Sequence, residues 1–170
     1  KIVNFLLKCG ARVDLFNNER IGFMRGCTAL MLASNNSHTS VVKTLLDHGA
    51  NPNATSLNGW TALMMAANSW RSSEILEILL KSGADVNAVN KCSWTALMLA
   101  SAQHSTGNLK VLLKYRADVN AASDDSWTAL MVASKKGLKD TIEILLTHGA
   151  RVNTPTNRDH LTALIASSRR

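Results

Sequence analysis

The sequence predicts an all-α solenoid in which short helix–turn–helix units are stacked side by side. A six-residue motif, TALMLA and close variants of it, occurs five times and each time begins at a threonine. The threonines stand at positions 28, 61, 95, 128 and 162, so consecutive copies lie 33 or 34 residues apart. A fixed period of this length indicates a repeat architecture, because each unit buries its apolar face only against its neighbours.

The first 14 residues have the pattern of the second helix and loop of a unit whose first helix is missing. Their apolar stretch is short and is interrupted by Asn4 and Lys8, so the repeat register explains it better than a secretion signal does. No apolar run in the sequence approaches the roughly 18 residues that cross a bilayer. We therefore expect no membrane insertion.

The loop that follows is longer than its counterparts. Six more residues separate Ala11 from Thr28 than separate Ala50 from Thr61. Loops that outgrow their repeat are either tolerated drift or binding elements. The apolar character of this loop favours binding, and its candidate residues are Phe16, Phe23, Met24 and Arg25.

Each repeated threonine is placed to cap the first helix of its unit, with its hydroxyl accepting a first-turn backbone N–H. A short apolar run follows it. In four copies the third residue after the threonine is methionine, which could indicate a soft binding surface. Because the position is shared, we expect these thioethers to fill the core instead. They are Met31, Met64, Met98 and Met131.

The second helix is clearest in the second full unit. Apolar residues recur at helical spacing over positions 75–80, and Gly83 follows where a left-handed C-cap needs glycine. Arg116 takes the equivalent position in the third full unit, which predicts a local weak point. The Asp85 and Asn87 side chains next to the cap are typical turn formers that bond their own backbone.

This pattern resembles the ankyrin repeat, whose signature T-P-L-H-x-A recurs every 33 residues. The second halves, such as LLKSGADVNA, repeat in phase as well, so the resemblance covers essentially the whole chain. Alanine replaces the family's proline, and methionine or isoleucine replaces its histidine, so apolar contact should take over from the Thr–His hydrogen bond. The resemblance implies four complete repeats plus a half repeat at each end. We expect a single array over residues 1–170, cut from a longer chain that supplies the polar capping repeats.

The sequence contains no phosphate-binding loop and no HExxH or GxSxG motif. His48 and His148 precede a C-cap glycine, where a helix end favours partial positive charge. The adjacent Asp124 and Asp125 are expected to diverge into water rather than act as an acid–base pair. The three cysteines lack disulfide or metal spacing, which fits a reducing compartment. We expect no enzyme activity, no cofactor and no metal, and a cytoplasmic location, with the nucleus or a host cytosol as alternatives.

The resemblance also implies a concave groove lined by hairpin tips and first helices. Just before three consecutive threonines stands the tryptophan row (Trp60, Trp94 and Trp127), whose residue type dominates interface hot spots. Packing on the neighbouring hairpin is the alternative role, and the two are compatible. A basic end of the groove is expected from Lys135, Lys136, Lys139, Arg169 and Arg170, unless these form an ordinary solvated face. The remaining candidate groove residues are Leu57, Asn58, Lys91, Asp124, Asp125 and Arg158.

The resemblance implies a monomeric protein-interaction module, a scaffold, adaptor or targeting arm, whose partner is a polypeptide with apolar and acidic residues. The net charge of +7 also raises the alternative of single-stranded nucleic acid, bound by stacked aromatics beside basic residues. Asp124 and Asp125 next to Trp127 disfavour this alternative, because a surface that follows a phosphate backbone needs basic side chains there. A further alternative is the targeting arm of an enzyme, including a microbial effector, whose catalytic domain lies outside these residues.

Overall fold

A computed structural model describes residues 2–17, 25–70, 72–104, 106–157 and 162–168. Within these ranges the chain forms ten α-helices and only isolated β-bridges. The helices are α1 (Ile2–Lys8), α2 (Ala29–Asn35), α3 (Thr39–Asp47), α4 (Ala62–Ala67), α5 (Ser73–Lys81), α6 (Ala96–Ser101), α7 (Thr106–Lys114), α8 (Ala129–Lys136), α9 (Lys139–Thr147) and α10 (Ala163–Ser168). The predicted all-α solenoid is confirmed, with four complete pairs between the unpaired α1 and α10.

The helices form two layers. The first helices of the units, α2, α4, α6, α8 and α10, each contact the next along one layer, and α1, α3, α5, α7 and α9 do so along the other. The two helices of each pair also contact one another. None of the described helices is long and apolar enough to cross a membrane.

The first helices begin as the sequence predicts. The threonine hydroxyls accept the N–H of the methionine three residues later at 3.2–3.4 Å in all four complete repeats. These methionines are at most 1% exposed, which confirms their place in the core. In the first repeat the Thr28 N–H also donates to Met31 Sδ at 3.5 Å, so a thioether there completes a reciprocal cap.

The second helices end in left-handed backbone. Gly49, Gly83 and Gly149 have φ values of 81°, 88° and 87°, and Arg116 has a φ of 64° at the equivalent position. A Cβ added at any of these three glycines would meet nothing within 4 Å. Glycine is therefore favoured there by backbone conformation and not by lack of space, and Arg116 carries the predicted strain.

Polar side chains connect consecutive repeats after these caps. The Asn87 N–H donates to Asp85 Oδ1 at 2.9 Å, the local turn that the sequence predicts. The asparagine that ends such a turn also makes contacts that the sequence does not predict. Asn53 accepts the Asp85 N–H at 2.8 Å and donates to the Gly83 carbonyl at 2.8 Å. Further inter-repeat bonds of this kind join Asn87 to the Asp118 N–H, and Asn120 to the Arg151 N–H and the Gly149 carbonyl.

A buried asparagine holds the inter-helix turn of the second full repeat. Asn108 on α7 is 1% exposed, and its Nδ2 donates to the carbonyls of Ala67 and Ser69. Its Oδ1 has no hydrogen-bond partner among the described residues. The turn that it supports contains Trp70, which is 60% exposed.

Candidate functional site

The tryptophan row is held in place by its backbone. The carbonyl of each tryptophan accepts the N–H of the residue four positions earlier, and the side-chain oxygen of that earlier residue accepts the tryptophan N–H at 3.0–3.1 Å. We call this double contact the hairpin clamp. Its signal in the sequence is a polar residue, Ser or Asn, four positions before each tryptophan. The clamp residues are Ser56 for Trp60, Asn90 for Trp94 and Ser123 for Trp127.

The first repeat has the same clamp around a longer tip. Asn17 Oδ1 accepts the Cys27 N–H at 2.8 Å, and the Asn17 N–H donates to the Cys27 carbonyl at 2.8 Å. The two residues are ten positions apart, whereas the other clamps span four, so all six extra residues fall inside the tip. Phe16 next to the clamp is 58% exposed. Phe23 and Met24 lie outside the described residues.

The hairpin tips stack on one another through backbone hydrogen bonds. The N–H groups of Leu57, Lys91 and Asp124 donate to the carbonyls of Arg25, Asn58 and Cys92 at 3.1, 3.1 and 3.3 Å. The side chains of these candidate residues, and that of Asp125, are exposed. Asp124 Oδ1 also accepts the Ser93 hydroxyl of the preceding tip, so this exposed carboxylate has a partner within the stack. Arg158 lies outside the described residues.

The rings of the tryptophan row are half-buried. All three pack against the buried core and leave the rest of the ring accessible. The Lys135 Nζ lies 5.1 Å from the centroid of the Trp127 ring, within the range of a cation–π contact. The structural and the ligand-facing roles of the indoles are therefore geometrically compatible.

A cavity of about 250 Å³ opens between the third and fourth full repeats. Two indoles and the buried Val132 provide its apolar walls, and two lysines stand beside them. The lining residues are Trp94, Ala102, Trp127, Val132, Lys135 and Lys136. This cavity is smaller than the roughly 300–1,000 Å³ of pockets for drug-sized ligands, and it suits a single side chain.

Lys136 also borders a second, more polar cavity of about 280 Å³ at the turn between α8 and α9. His104, Lys139 and Asp140 line it as well. The Lys139 Nζ lies 3.9 Å from Glu143 Oε1, so part of its charge is offset. Of the five expected cations of the basic end, Lys135, Lys136 and Lys139 are exposed at this end of the array. Arg169 and Arg170 lie outside the described residues.

In the described ranges, no group of three or more His, Cys, Asp or Glu side chains could hold a metal ion. Each of the two histidines before a C-cap glycine turns its Nδ1 to the carbonyl four residues earlier, at 2.9 Å for His48 and 2.8 Å for His148. These side chains therefore make hydrogen bonds to the last turn of their own helices.

Comparison with protein families agrees with the repeat period and the stacked helix pairs. A family model described as ankyrin repeats (3 copies) matches residues 1–90 and residues 70–156. Comparison with curated proteins found no match. The two matched segments cover most of the chain and include all four complete helix pairs. The chain therefore belongs to the ankyrin-repeat family.

Proposed function

We propose that this chain is a non-enzymatic interaction module, a scaffold, adaptor or targeting arm, whose groove binds a polypeptide. Ankyrin repeats are generally protein–protein interaction modules. The observation that carries the proposal is the cavity between Trp94 and Trp127 with Lys135 and Lys136 at its side. Apolar walls next to two exposed lysines suit a peptide that carries both apolar and acidic residues.

The physical basis of binding is preorganisation of the aromatic rings. The hairpin clamps fix the backbone of the tryptophan row before a ligand arrives, so little conformational entropy remains to be lost there. Desolvated tryptophans dominate interface energies and govern dissociation. Exposed lysines at a rim mainly govern association rate and selectivity. The ligand is therefore an extended or helical peptide with apolar anchors against Trp94 and Trp127 and acidic residues near the lysines.

The hairpin tips extend this surface along the stack. Leu57, Asn58, Lys91 and Asp125 present exposed side chains next to the groove, and they act as secondary contacts in the proposal. Asp124 orders the tips through its hydrogen bond with Ser93. The long first tip is proposed as an additional binding element, with Phe16, Phe23, Met24 and Arg25, and Arg158 contributes at the opposite end.

Selection from a random-peptide display library on the immobilised protein tests the proposal. We expect the enriched peptides to combine apolar residues with Asp or Glu. For a selected peptide, Lys135→Glu with Lys136→Glu should slow association and weaken its salt dependence, and Trp127→Ala should speed dissociation in surface plasmon resonance. Lys8→Glu with Lys110→Glu makes the same change in net charge on second helices and serves as the control.

Two results would overturn this function. The first is a selection in which no enriched peptide binds more weakly when Trp94 or Trp127 is replaced by alanine. The second is a selected peptide whose kinetics are the same for wild type, the groove variants and the control pair, because its site then lies on another face.

A further inference from the structure

The cavity between Trp94 and Trp127 can be compared with the same place one repeat earlier. There the equivalent residues are Trp60 and Trp94 for the indoles, with Asn68 and Gln103 in place of Ala102 and Lys136, and Ala102 itself takes the place of Lys135. The Gln103 Nε2 donates to Asn68 Oδ1 at 3.3 Å, so two side chains meet across the earlier position. Ala102 has only a methyl group and cannot make the corresponding bond to Lys136.

The residue at the base of the cavity also differs in size between the two positions. Val132 lies beneath the open cavity, and the equivalent residue one repeat earlier is Leu99, which is larger by one methylene. Both residues are buried, at 5% and 8% exposure. The earlier position therefore has the larger side chain at its base and a hydrogen bond between two side chains at its edge. The later position has the smaller side chain and lacks that bond.

We infer that Ala102 determines the binding register of the array: its small side chain opens an anchor pocket for one apolar ligand side chain between the third and fourth full repeats. The inference rests on the proposed function and adds to it the order of ligand residues. The anchor enters between Trp94 and Trp127, and acidic residues follow toward Lys135 and Lys136 on the side of the α8–α9 turn. A ligand shifted by one repeat meets the Asn68–Gln103 bridge instead and loses its anchor.

The size and charge of the pocket define the ligand chemistry. A volume of about 250 Å³ accepts one leucine-, methionine- or phenylalanine-sized side chain. Burying such a side chain removes a large apolar area from water, so its replacement by alanine should weaken binding by about tenfold or more. Lysines beside the pocket add selectivity for carboxylates over basic residues.

Exchanging the residues at the edge of the cavity between the earlier and the later position provides the test. The closed variant, Ala102→Asn with Lys136→Gln, introduces the bridging pair of the earlier position and keeps Val132 and Lys135, and Lys136→Gln alone is its charge-matched control. The opened variant, Asn68→Ala with Gln103→Lys, removes the bridging pair next to Trp60 and keeps Leu99. All four positions are exposed or partly exposed, and circular dichroism with thermal melting establishes that each variant is folded.

The probe is a peptide selected from the random library on wild-type protein, together with its anchor-to-alanine version. We expect wild type and Lys136→Gln to prefer the anchored peptide by about tenfold or more, and the closed variant to lose that preference. In the opened variant the peptide should also shift the indole N–H resonance of Trp60, which stays unshifted in wild type.

The possible results distinguish failure of the register inference from failure of the proposed function. If the closed variant keeps the anchor preference, or if Trp60 in wild type shifts as much as Trp94 and Trp127, the register inference is wrong while the proposed function stands. If the wild-type selection enriches no groove-binding peptide, the proposed function fails and the inference fails with it.

Discussion

Replacing Arg116 by glycine is expected to stabilise the array. Arg116 ends α7 with a φ of 64°, where the other complete repeats have glycine. A side chain in this conformation costs about 1–2 kcal/mol, because its Cβ crowds the backbone. Glycine removes that cost but makes the unfolded chain more flexible, which offsets about 0.4–1 kcal/mol. The expected net gain in the free energy of unfolding is about 0.5–1 kcal/mol.

The measurement is thermal and urea unfolding followed by far-UV circular dichroism. For a chain of this size, 1 kcal/mol corresponds to about 2–4 °C in Tm, so Arg116→Gly should raise Tm by about 1–4 °C. The reciprocal control is Gly49→Arg, at the same position two repeats away. A Cβ there meets nothing within 4 Å, so the substitution changes the backbone cost without a clash and should lower Tm by a similar amount.

The double variant has the same amino-acid composition as the wild type. The two sites lie in different repeats, so their effects should add, and the Tm of the double variant should return close to the wild-type value. If Arg116→Gly fails to stabilise while Gly49→Arg destabilises, the Arg116 side chain makes a contribution beyond its backbone conformation. If both single variants are neutral, the backbone explanation of the caps is refuted.

Three further outcomes are expected. Asn108→Ala should lower the free energy of unfolding by about 1–3 kcal/mol, because the carbonyls of Ala67 and Ser69 lose their side-chain donor; an unchanged Tm would contradict this. A hydrogen bond from Lys114, and then its charge, lower the pKa of Glu77 below its usual 4.5, so this pair stabilises the fold above that pH and the stabilisation is lost as pH falls through the lowered pKa; in Lys114→Gln, acid titration of stability should lack this component. Deleting residues 19–24 should leave Tm nearly unchanged and weaken binding of the groove-selected peptide. If the deletion variant binds the peptide as well as wild type does, the extra length of the first tip has no role in binding.

The sequence predicted the features that depend on local or periodic signals. The threonine caps, the buried methionines and the left-handed cap at Arg116 each follow from a residue and its place in the repeat. Asn108 could not be assigned this way, because its partner Ser69 lies 39 residues away and the contact exists only after stacking. The cavity beside Trp127 was also hidden, because it arises from what Ala102 lacks rather than from any motif.

The hairpin clamp separates the length of a tip from the geometry of the stack. In the first repeat the clamp closes around ten positions with the same two hydrogen bonds that close around four elsewhere, and the helix after it still begins at its threonine. Each tip is therefore a site where evolution or an engineer can insert residues without changing the spacing of the helices. New recognition sequences could be added at this position one repeat at a time, while the scaffold that carries them stays the same.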